Sequence, residues 1–358
     1  MSSSFGEKLK VTIFGASHGS HIGVVLEGLD AGEVIDQEAL AQFMQRRAPK
    51  KNMLSTQRRE ADTVTFVSGV LDDKTSGSPL CALIQNTDAH SKDYANLEDV
   101  PRPSHADYTA RLRFGEAVDL RGGGHFSGRL TAPLCIAGGI ALQLLARKGI
   151  EIYAHLKSVG EGEDSPLDVL TPDIHLLKVA QGRAVPMVSE ARAREVEALI
   201  KTLRQEGDSV GGVIECFALG FPRGKGNPLF DSIESNLAKV LFGVSGVKGV
   251  SFGSGFDGVR HRGSEENDPF SVDDQGQIIT KKNNSGGIQG GISNGMPIYF
   301  QVAMKPTPSI AKIQESISLS KNIPTDLRIQ GRHDPCIAIR AIPVIEAVCA
   351  LVLLEFLL

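Results

Sequence analysis

Strand-like and helix-like hydrophobic patterns alternate along this whole chain, and no proline- or serine-rich linker or break in composition divides them. Residues 9–14 alternate as a strand and stop at Gly15. Residues 37–47 place Leu40, Phe43 and Met44 at i, i+3, i+4, a helical spacing. Residues 63–70 and 80–84 read as strands on either side of the turn-rich stretch 74–79. Residues 131–147 form a long apolar helix closed by Gly149, and 189–206 a charged amphipathic helix closed by Gly207. Residues 212–219 return to strand character, 232–242 are helical, and 297–304 read as a buried strand. Pro343 is expected to open a last helix, with Ile345, Val348, Leu351 and Val352 as its apolar stripe. The length of 358 residues would allow two domains. The unbroken mixture predicts one, spanning 1–358, of the α+β or α/β kind.

Composition removes several function classes. The net charge of −4 gives no basic field toward nucleic acid or membrane. Aromatics make up 5% with no Trp, which disfavours stacking on bases or sugars. Five scattered cysteines without a CxxC pair fit a reducing cytoplasm, and Cys81, Cys135 and Cys349 sit in apolar runs as small core residues. The first residues lack the apolar core of a signal peptide. The apolar run 347–358 is far short of the ~20 residues a membrane span needs. A cytoplasmic protein with no nucleic-acid or membrane partner is the expectation.

Three segments put histidine among turn-forming or small residues beside a cation or hydroxyl: Gly15-Ala16-Ser17-His18-Gly19, Arg102-Pro103-Ser104-His105-Ala106-Asp107-Tyr108, and Gly331-Arg332-His333-Asp334-Pro335-Cys336. Two histidines and a carboxylate can move protons near neutral pH, which points to an enzyme with separate acid and base groups. Arg46, Arg47, Lys50, Lys51, Arg58 and Arg59 gather within fourteen residues with no acid between them. In a net-acidic chain this suits a small anion; as a bare pattern it equally suits a solvated face at a helix C-terminus.

Arg121-Gly122-Gly123-Gly124-His125-Phe126-Ser127-Gly128-Arg129 runs straight into the apolar helix. Consecutive glycines let N–H groups converge at a helix N-terminus, and Ser127 and Arg129 would complete a phosphate or carboxylate cradle. Residues 285–295, rich in glycine but carrying Ile288 and Ile292, precede Lys305-Pro306-Thr307-Pro308-Ser309, an ammonium and hydroxyls in a stiff turn fit for a phosphate or flavin edge. The long, weakly patterned stretches 88–124 and 253–295 read as site-forming loops. Gly253-Ser254-Gly255-Phe256-Asp257-Gly258 matches GxGxxG, but no helix is expected after it, so a nicotinamide site is rejected. His18 and His21 lack a third metal ligand, and no metal site is expected. His90, His155, His175 and His261 read as structural or exposed. No GxSxG elbow supports a serine hydrolase.

Taken together, the segments resemble the chorismate synthase family nearly end to end. Besides the three histidine segments, the resemblance rests on Arg121-Gly122-Gly123-Gly124, Glu206-Gly207-Asp208-Ser209, Gly286-Gly287-Ile288-Gln289-Gly290-Gly291 and Lys305-Pro306-Thr307. It implies a single large α+β domain with β-sheets sandwiched by helices, assembled as a homotetramer. It further implies anti-1,4-elimination of phosphate from 5-enolpyruvylshikimate 3-phosphate to give chorismate, the last step of the shikimate pathway. Reduced FMN would lend an electron as phosphate leaves and recover it as the C6 hydrogen goes, with no net redox change.

The same resemblance implies residue roles. His18 would keep the reduced flavin correctly protonated, His105 would protonate the departing phosphate, and Asp334 would assist proton removal. Ser17, Arg46, Arg47, Arg129 and Arg332 would hold the anionic substrate, whose carboxylates and phosphate match guanidinium forks. Flavin contacts would come from His125, Phe126, Ser127, Ser245 and Gly246, then from Gly290, Lys305, Pro306, Thr307, Pro308, Ser309 and Arg332. NAD(P)H would enter only indirectly, through flavin reduction by a separate reductase or another supply of reduced flavin.

The chain departs from the family pattern in places. Ala16 stands where Glu is usual, and His125-Phe126-Ser127-Gly128-Arg129-Leu130 where the family reads R-S-S-A-R-E. His125 is expected to replace part of a lost cation. The rival expectation is a non-catalytic flavin or phospho-ligand binding protein on the same scaffold; the retained His18, His105 and Asp334 argue against it.

Overall fold

The computed structural model describes residues 3–49, 54, 62–87, 99–329 and 334–358. Of the residues singled out by the sequence, Lys50, Lys51, Arg58, Arg59, His90, Gly331, Arg332 and His333 lie outside the described residues.

Two antiparallel five-stranded sheets frame the molecule. The first runs in the order β1 (Ser4–Phe5), β2 (Lys10–Gly15), β3 (His21–Glu27), β7 (Leu80–Gln85), β4 (Thr65–Ser68), and a short ribbon of β5 (Val70–Leu71) and β6 (Lys74–Thr75) links β4 to β7. The strand expected over 63–70 is thus broken. Gly69 turns at φ +81°, where a side chain would run into Leu80. The second sheet runs β11 (Val247–Phe252), β16 (Ile298–Met304), β10 (Gly212–Leu219), β8 (Glu151–Val159), β9 (Gly162–Glu163). Three further ribbons pair β12 (Phe270–Val272) with β13 (Ile278–Thr280), β14 (Ile288–Gln289) with β15 (Ile292–Ser293), and β17 (Ile313–Ser318) with β18 (Ile323–Arg328).

The helices are α1 (Gln37–Arg47), α2 (Asp107–Phe114), α3 (Thr131–Arg147), α4 (Ile174–Gly182), α5 (Glu190–Glu206), α6 (Ile233–Leu241), the single turns α7 (Gly255–Gly258) and α8 (Gly263–Glu266), and α9 (Ala338–Glu355). Several begin where the sequence offers a cap: the side chains of Asp36, Ser189 and Ser232 each accept a first-turn N–H. Gly207 ends α5 in the left-handed conformation.

The α+β class is as the sequence implies, but the layering differs from sheets sandwiched by helices: two helices form a central layer between the sheets. α3 packs on β3 and β7 of the first sheet, α9 on β8 and β10 of the second, and the two helices lie against each other between the sheets. A helix in that position must be apolar on nearly every side, and α3 and α9 are buried along almost their whole length. Each aliphatic side chain so placed contributes about 1.5–3 kcal/mol. Their close approach is set by Gly138, where a Cβ would stand 2.2 Å from that of Ala347. The segment 128–147 is apolar and long enough to cross a membrane by length and composition, and 72% of its most apolar window is buried inside the protein.

Two expectations need correction. Pro343 does not open α9; the helix begins at Ala338 and the proline lies inside it. Burial of both flanks holds the helix through the lost N–H bond. The stretch 253–295 carries α7, α8 and two ribbons rather than one loop, and forms no part of the main cleft. The GxGxxG match leads from an antiparallel strand into a one-turn helix, so no Rossmann unit exists there.

Candidate active site

An open cleft of about 680 Å³ collects side chains from distant parts of the chain: Arg47 from α1, Arg102 to Ala106, the glycine run with Phe126 to Arg129, residues 242–248, residues 304–309, and Asp334 with the start of α9. That volume falls within the ~300–1,000 Å³ usual for ligand pockets.

Of the glycine run, Gly122 lines the cleft, and Gly122 and Gly123 stand beside the two candidate histidines. Gly122, Gly123 and Gly124 all take positive φ. A Cβ on Gly122 would stand 2.5 Å from Nε2 of His18, and one on Gly123 would stand 3.5 Å from Nε2 of His105. His18 does not itself line the cleft; it lies buried behind the bare backbone of Gly122, which does. The Ser17 N–H donates to the Gly124 carbonyl at 3.0 Å, and Asn86 donates to the carbonyls of Ala16 and Gly19. The Ser17 hydroxyl is buried beside Gly122 with no hydrogen-bond partner among the described residues.

His105 leads into α2 after Ser104, a non-glycine residue at φ +57°. Its Nδ1 lies 2.7 Å from Asp107 Oδ1. Arg102 meets the same carboxylate through Nε and Nη2, each at 2.7 Å. Burial alone would push the Asp107 carboxyl up, but hydrogen bonds and charge from Arg102 and His105 hold it far below the usual carboxylate range.

The candidate substrate cations divide. Arg47 and Arg129 are both buried, and Asp62 bridges them: Arg47 Nη1 donates to it at 2.6 Å and Arg129 Nη1 to its other oxygen. Burial raises the Asp62 carboxyl, yet the two guanidiniums outweigh this and keep it below its ordinary value. Arg46 does not reach the cleft. Its guanidinium makes a bidentate pair with buried Glu346 of α9, at 2.7 and 2.9 Å, beside a separate cavity of about 30 Å³. A core carboxylate must be paired, and Arg46 is the cation in reach.

Asp334 accepts from Arg340 Nη1 at 2.7 Å, and Arg340 Nε in turn holds the Arg47 carbonyl. On the far wall, Lys305 Nζ donates to the Ser104 carbonyl at 2.5 Å. Burial, and then neighbouring Lys248, lowers the Lys305 ammonium from its usual value. Ser245 donates to the Phe126 carbonyl, and Ser309 is reached by Arg102 Nη1 at 3.3 Å. The Thr307 hydroxyl is buried with no partner among the described residues. Ser127, Gly246, Thr307 and Pro308 line the cleft; Pro306 lies between lining residues. Phe126, Val244, Met304 and Ile337 supply apolar wall.

Two candidate cofactor residues lie elsewhere. His125 turns away: its Nδ1 donates to the Gly15 carbonyl at 2.8 Å and its Nε2 meets Ser3 Oγ at 2.8 Å. Both nitrogens are engaged there, and His125 does not line the cleft. Gly290 sits in the β14–β15 turn, outside the cleft lining.

Sequence reasoning missed Asp62, Asn86, Arg340 and Lys248, and quoted Arg102 and Asp107 without giving them a role. Asp62 carried a signal, as an acid just past the basic cluster. Asn86 and Arg340 carried none, because their part depends on tertiary contact.

The comparisons point one way. The family model described as chorismate synthase matches residues 9–358. A chorismate synthase of Methanothermobacter thermautotrophicus is 41% identical, covering 99% of this chain and 94% of the relative. One from Christiangramia forsetii is 43% identical, covering 99% and 97%. A solved crystal structure of chorismate synthase matches with a TM-score of 0.78 at 26% identity, covering 99% of this chain and 92% of that one.

Proposed function

The chain belongs to the chorismate synthase family, and on that premise we propose how its cleft serves the reaction. The enzyme is the shikimate-pathway lyase that forms chorismate by eliminating phosphate from 5-enolpyruvylshikimate 3-phosphate. The observation that supports a working site over a binding-only relic is the convergence of His105, Asp334, Arg47, Arg129 and Lys305 on one cleft.

The donor set fits FMN. The apolar wall of Phe126, Val244, Met304 and Ile337 suits a flat ring system, and the unpartnered Thr307 hydroxyl with Lys305 suits a phosphate or ring-edge acceptor. Ser127, Ser245, Gly246, Thr307, Ser309 and Lys305, with Pro306 and Pro308 stiffening the turn, would hold it. When bound, reduced flavin supplies reversible electron donation, so that an unactivated proton can leave with no net redox change.

The remaining work belongs to side chains. Arg47 and Arg129 hold the anionic groups of the substrate, joined by Arg332. His105 passes a proton from its cleft-facing Nε2 to the phosphate oxygen as the C–O bond breaks. Asp334, held by Arg340, receives the proton lost from carbon. His18 holds a proton at the cleft wall behind Gly122 and sets the protonation of the cofactor. Ser17 adds a hydroxyl at the same wall.

We further propose a cytoplasmic homotetramer supplied with reduced flavin by a separate reductase, NAD(P)H entering only there. Exposed Phe230, Phe256 and Phe270 are apolar surface suited to self-association, and sedimentation reads the assembly directly. The catalytic reading is tested by anaerobic turnover of 5-enolpyruvylshikimate 3-phosphate with chemically reduced FMN. Equal release of chorismate and phosphate, with flavin still reduced at the end, is expected. Tight FMN binding without product would leave the binding-protein reading.

A further inference from the structure

We propose that Asp107 is the positioning residue for His105, fixing its tautomer and turning its Nε2 to the cleft, with Arg102 holding Asp107 in place. The proposal rests on His105 being the group that protonates phosphate.

Two groups meet at Nδ1 of His105. Asp107 Oδ1 is 2.7 Å away and Arg102 Nη2 is 3.1 Å away. A guanidinium nitrogen only donates, and a carboxylate oxygen only accepts. Nδ1 can therefore satisfy one of them. Without a proton it would face a carboxylate lone pair at 2.7 Å, a repulsive contact inside a buried cluster. With a proton it makes a short charge-assisted bond, and Arg102 Nη2 spends its own hydrogen on the same Oδ1 at 2.7 Å. The geometry thus assigns the proton to Nδ1. The opposite nitrogen, Nε2, lies beside Gly123, clear of the Asp107 and Arg102 pair, and His105 lines the cleft.

Asp107 is itself fixed from several directions. It takes Nε and Nη2 of Arg102 and the Arg102 backbone N–H at 3.0 Å, and it stands in the first turn of α2. Its side chain is 3% exposed and that of Arg102 4%. A buried carboxylate paired in this way stays ionised through the working pH range. It keeps one imidazole face as donor, so the other can give its proton to phosphate and regain it from solvent. Ser309, at 3.3 Å from Arg102 Nη1, ties the cluster to the segment that carries Lys305 and Thr307.

The test compares Asp107→Asn and Asp107→Glu with the wild-type enzyme and His105→Ala, all assayed with reduced FMN. Asp107→Asn is expected to lower kcat by about ten- to a hundredfold, the range for losing a partner that orients a catalytic group. KM for the substrate and FMN affinity should stay within about twofold, because Asp107 is buried behind His105 and does not line the cleft. Asp107→Glu should recover part of kcat. Unchanged kcat in Asp107→Asn, beside an inactive His105→Ala, overturns the positioning role while leaving His105 as the acid. An active His105→Ala removes the premise instead. Should Asp107→Asn fail to fold, 15N NMR of the wild-type imidazole decides: a proton on Nδ1 supports the proposal, and a neutral ring protonated only at Nε2 sinks it.

Discussion

The imidazole of His18 packs against the bare α-carbon of Gly122, whose absent Cβ would lie 2.5 Å from both Nε2 and Cδ2. The next residue, Gly123, abuts His105 in the same manner at 3.4–3.5 Å. Adjacent glycines thus set the spacing of the two histidines, and their positive φ values keep side chains out of the gap.

Gly122→Ala should consequently damage catalysis far more than folding. The left-handed backbone at φ +60° adds about 1–3 kcal/mol of strain to an alanine. The larger effect is displacement of His18, and a shift near 1 Å at a reacting group lowers turnover by about a hundredfold. Steady-state kcat with reduced FMN, measured beside a thermal melt, separates the two. A variant that melts slightly lower but turns over normally would show that His18 tolerates displacement.

Asp62 is the counter-ion for two buried arginines, and its removal should be severe. Asp62→Ala leaves Arg47 and Arg129 facing each other without a shared carboxylate, a change worth about 3–5 kcal/mol of stability. The pairing also predicts acid lability. The folded-state pKa lies below the unfolded value of 3.8, so the contribution is present above about pH 4 and is lost as pH falls through the lower folded value. Denaturant midpoints for wild type and Asp62→Asn should differ at pH 7 and converge toward pH 2. Parallel curves throughout would mean that Asp62 is not ionised in the folded protein.

A second buried ion cluster should fail in the opposite direction. His155 of β8 lies opposite Glu215 of β10, with Nε2 3.0 Å from Glu215 and Nδ1 3.5 Å from Asp164. Burial opposes its charge, but the two carboxylates outweigh that and raise its pKa to about 9. A raised folded-state value means full stabilisation below the unfolded value of 6.5 and progressive loss as pH rises through about 9, on the order of 3 kcal/mol in all. Glu215 also accepts from Tyr299 at 2.6 Å, so the carboxylate keeps one partner when His155 loses its proton. Melting temperatures of wild type and His155→Gln should converge between pH 8 and pH 10. A gap independent of pH would show that the imidazole is neutral in the fold.

Much of this arrangement was legible in the residue pattern, and the parts that were not share one physical cause. The bounds of α1 and α3 followed from spacing and from the glycines and caps beside them, because those signals are local. The glycine run and the residues 305–309 were legible as cleft walls, since close approach and stiff turns leave their mark on composition. Arg46 and Arg47 look alike in sequence, yet one pairs with Glu346 in the core and the other with Asp62 at the cleft. The acids that separate them lie far along the chain or just past the cluster. Asn86, which ties the His18 loop to Arg129 Nε at 3.1 Å, had no local signature for the same reason.

His125 shows how a departure from the family pattern can be read wrongly from sequence and made testable by geometry. As a cation near a flavin phosphate it would change FMN affinity when removed. The observed ring does different work: it joins Gly15, three residues before His18, to Ser3 next to the first strand. Ala16 stands beside that contact, where the family usually carries glutamate. The imidazole hydrogen bond to the Gly15 carbonyl thus holds this corner without an acid at position 16. His125→Ala should leave FMN affinity within about twofold, speed amide exchange over residues 4–17, and lower kcat by roughly three- to tenfold through a looser His18. His125→Gln, whose amide can donate to the same carbonyl, should restore most of that loss. A tenfold weaker FMN affinity in His125→Ala, with the N-terminal exchange unchanged, would return His125 to the cofactor site.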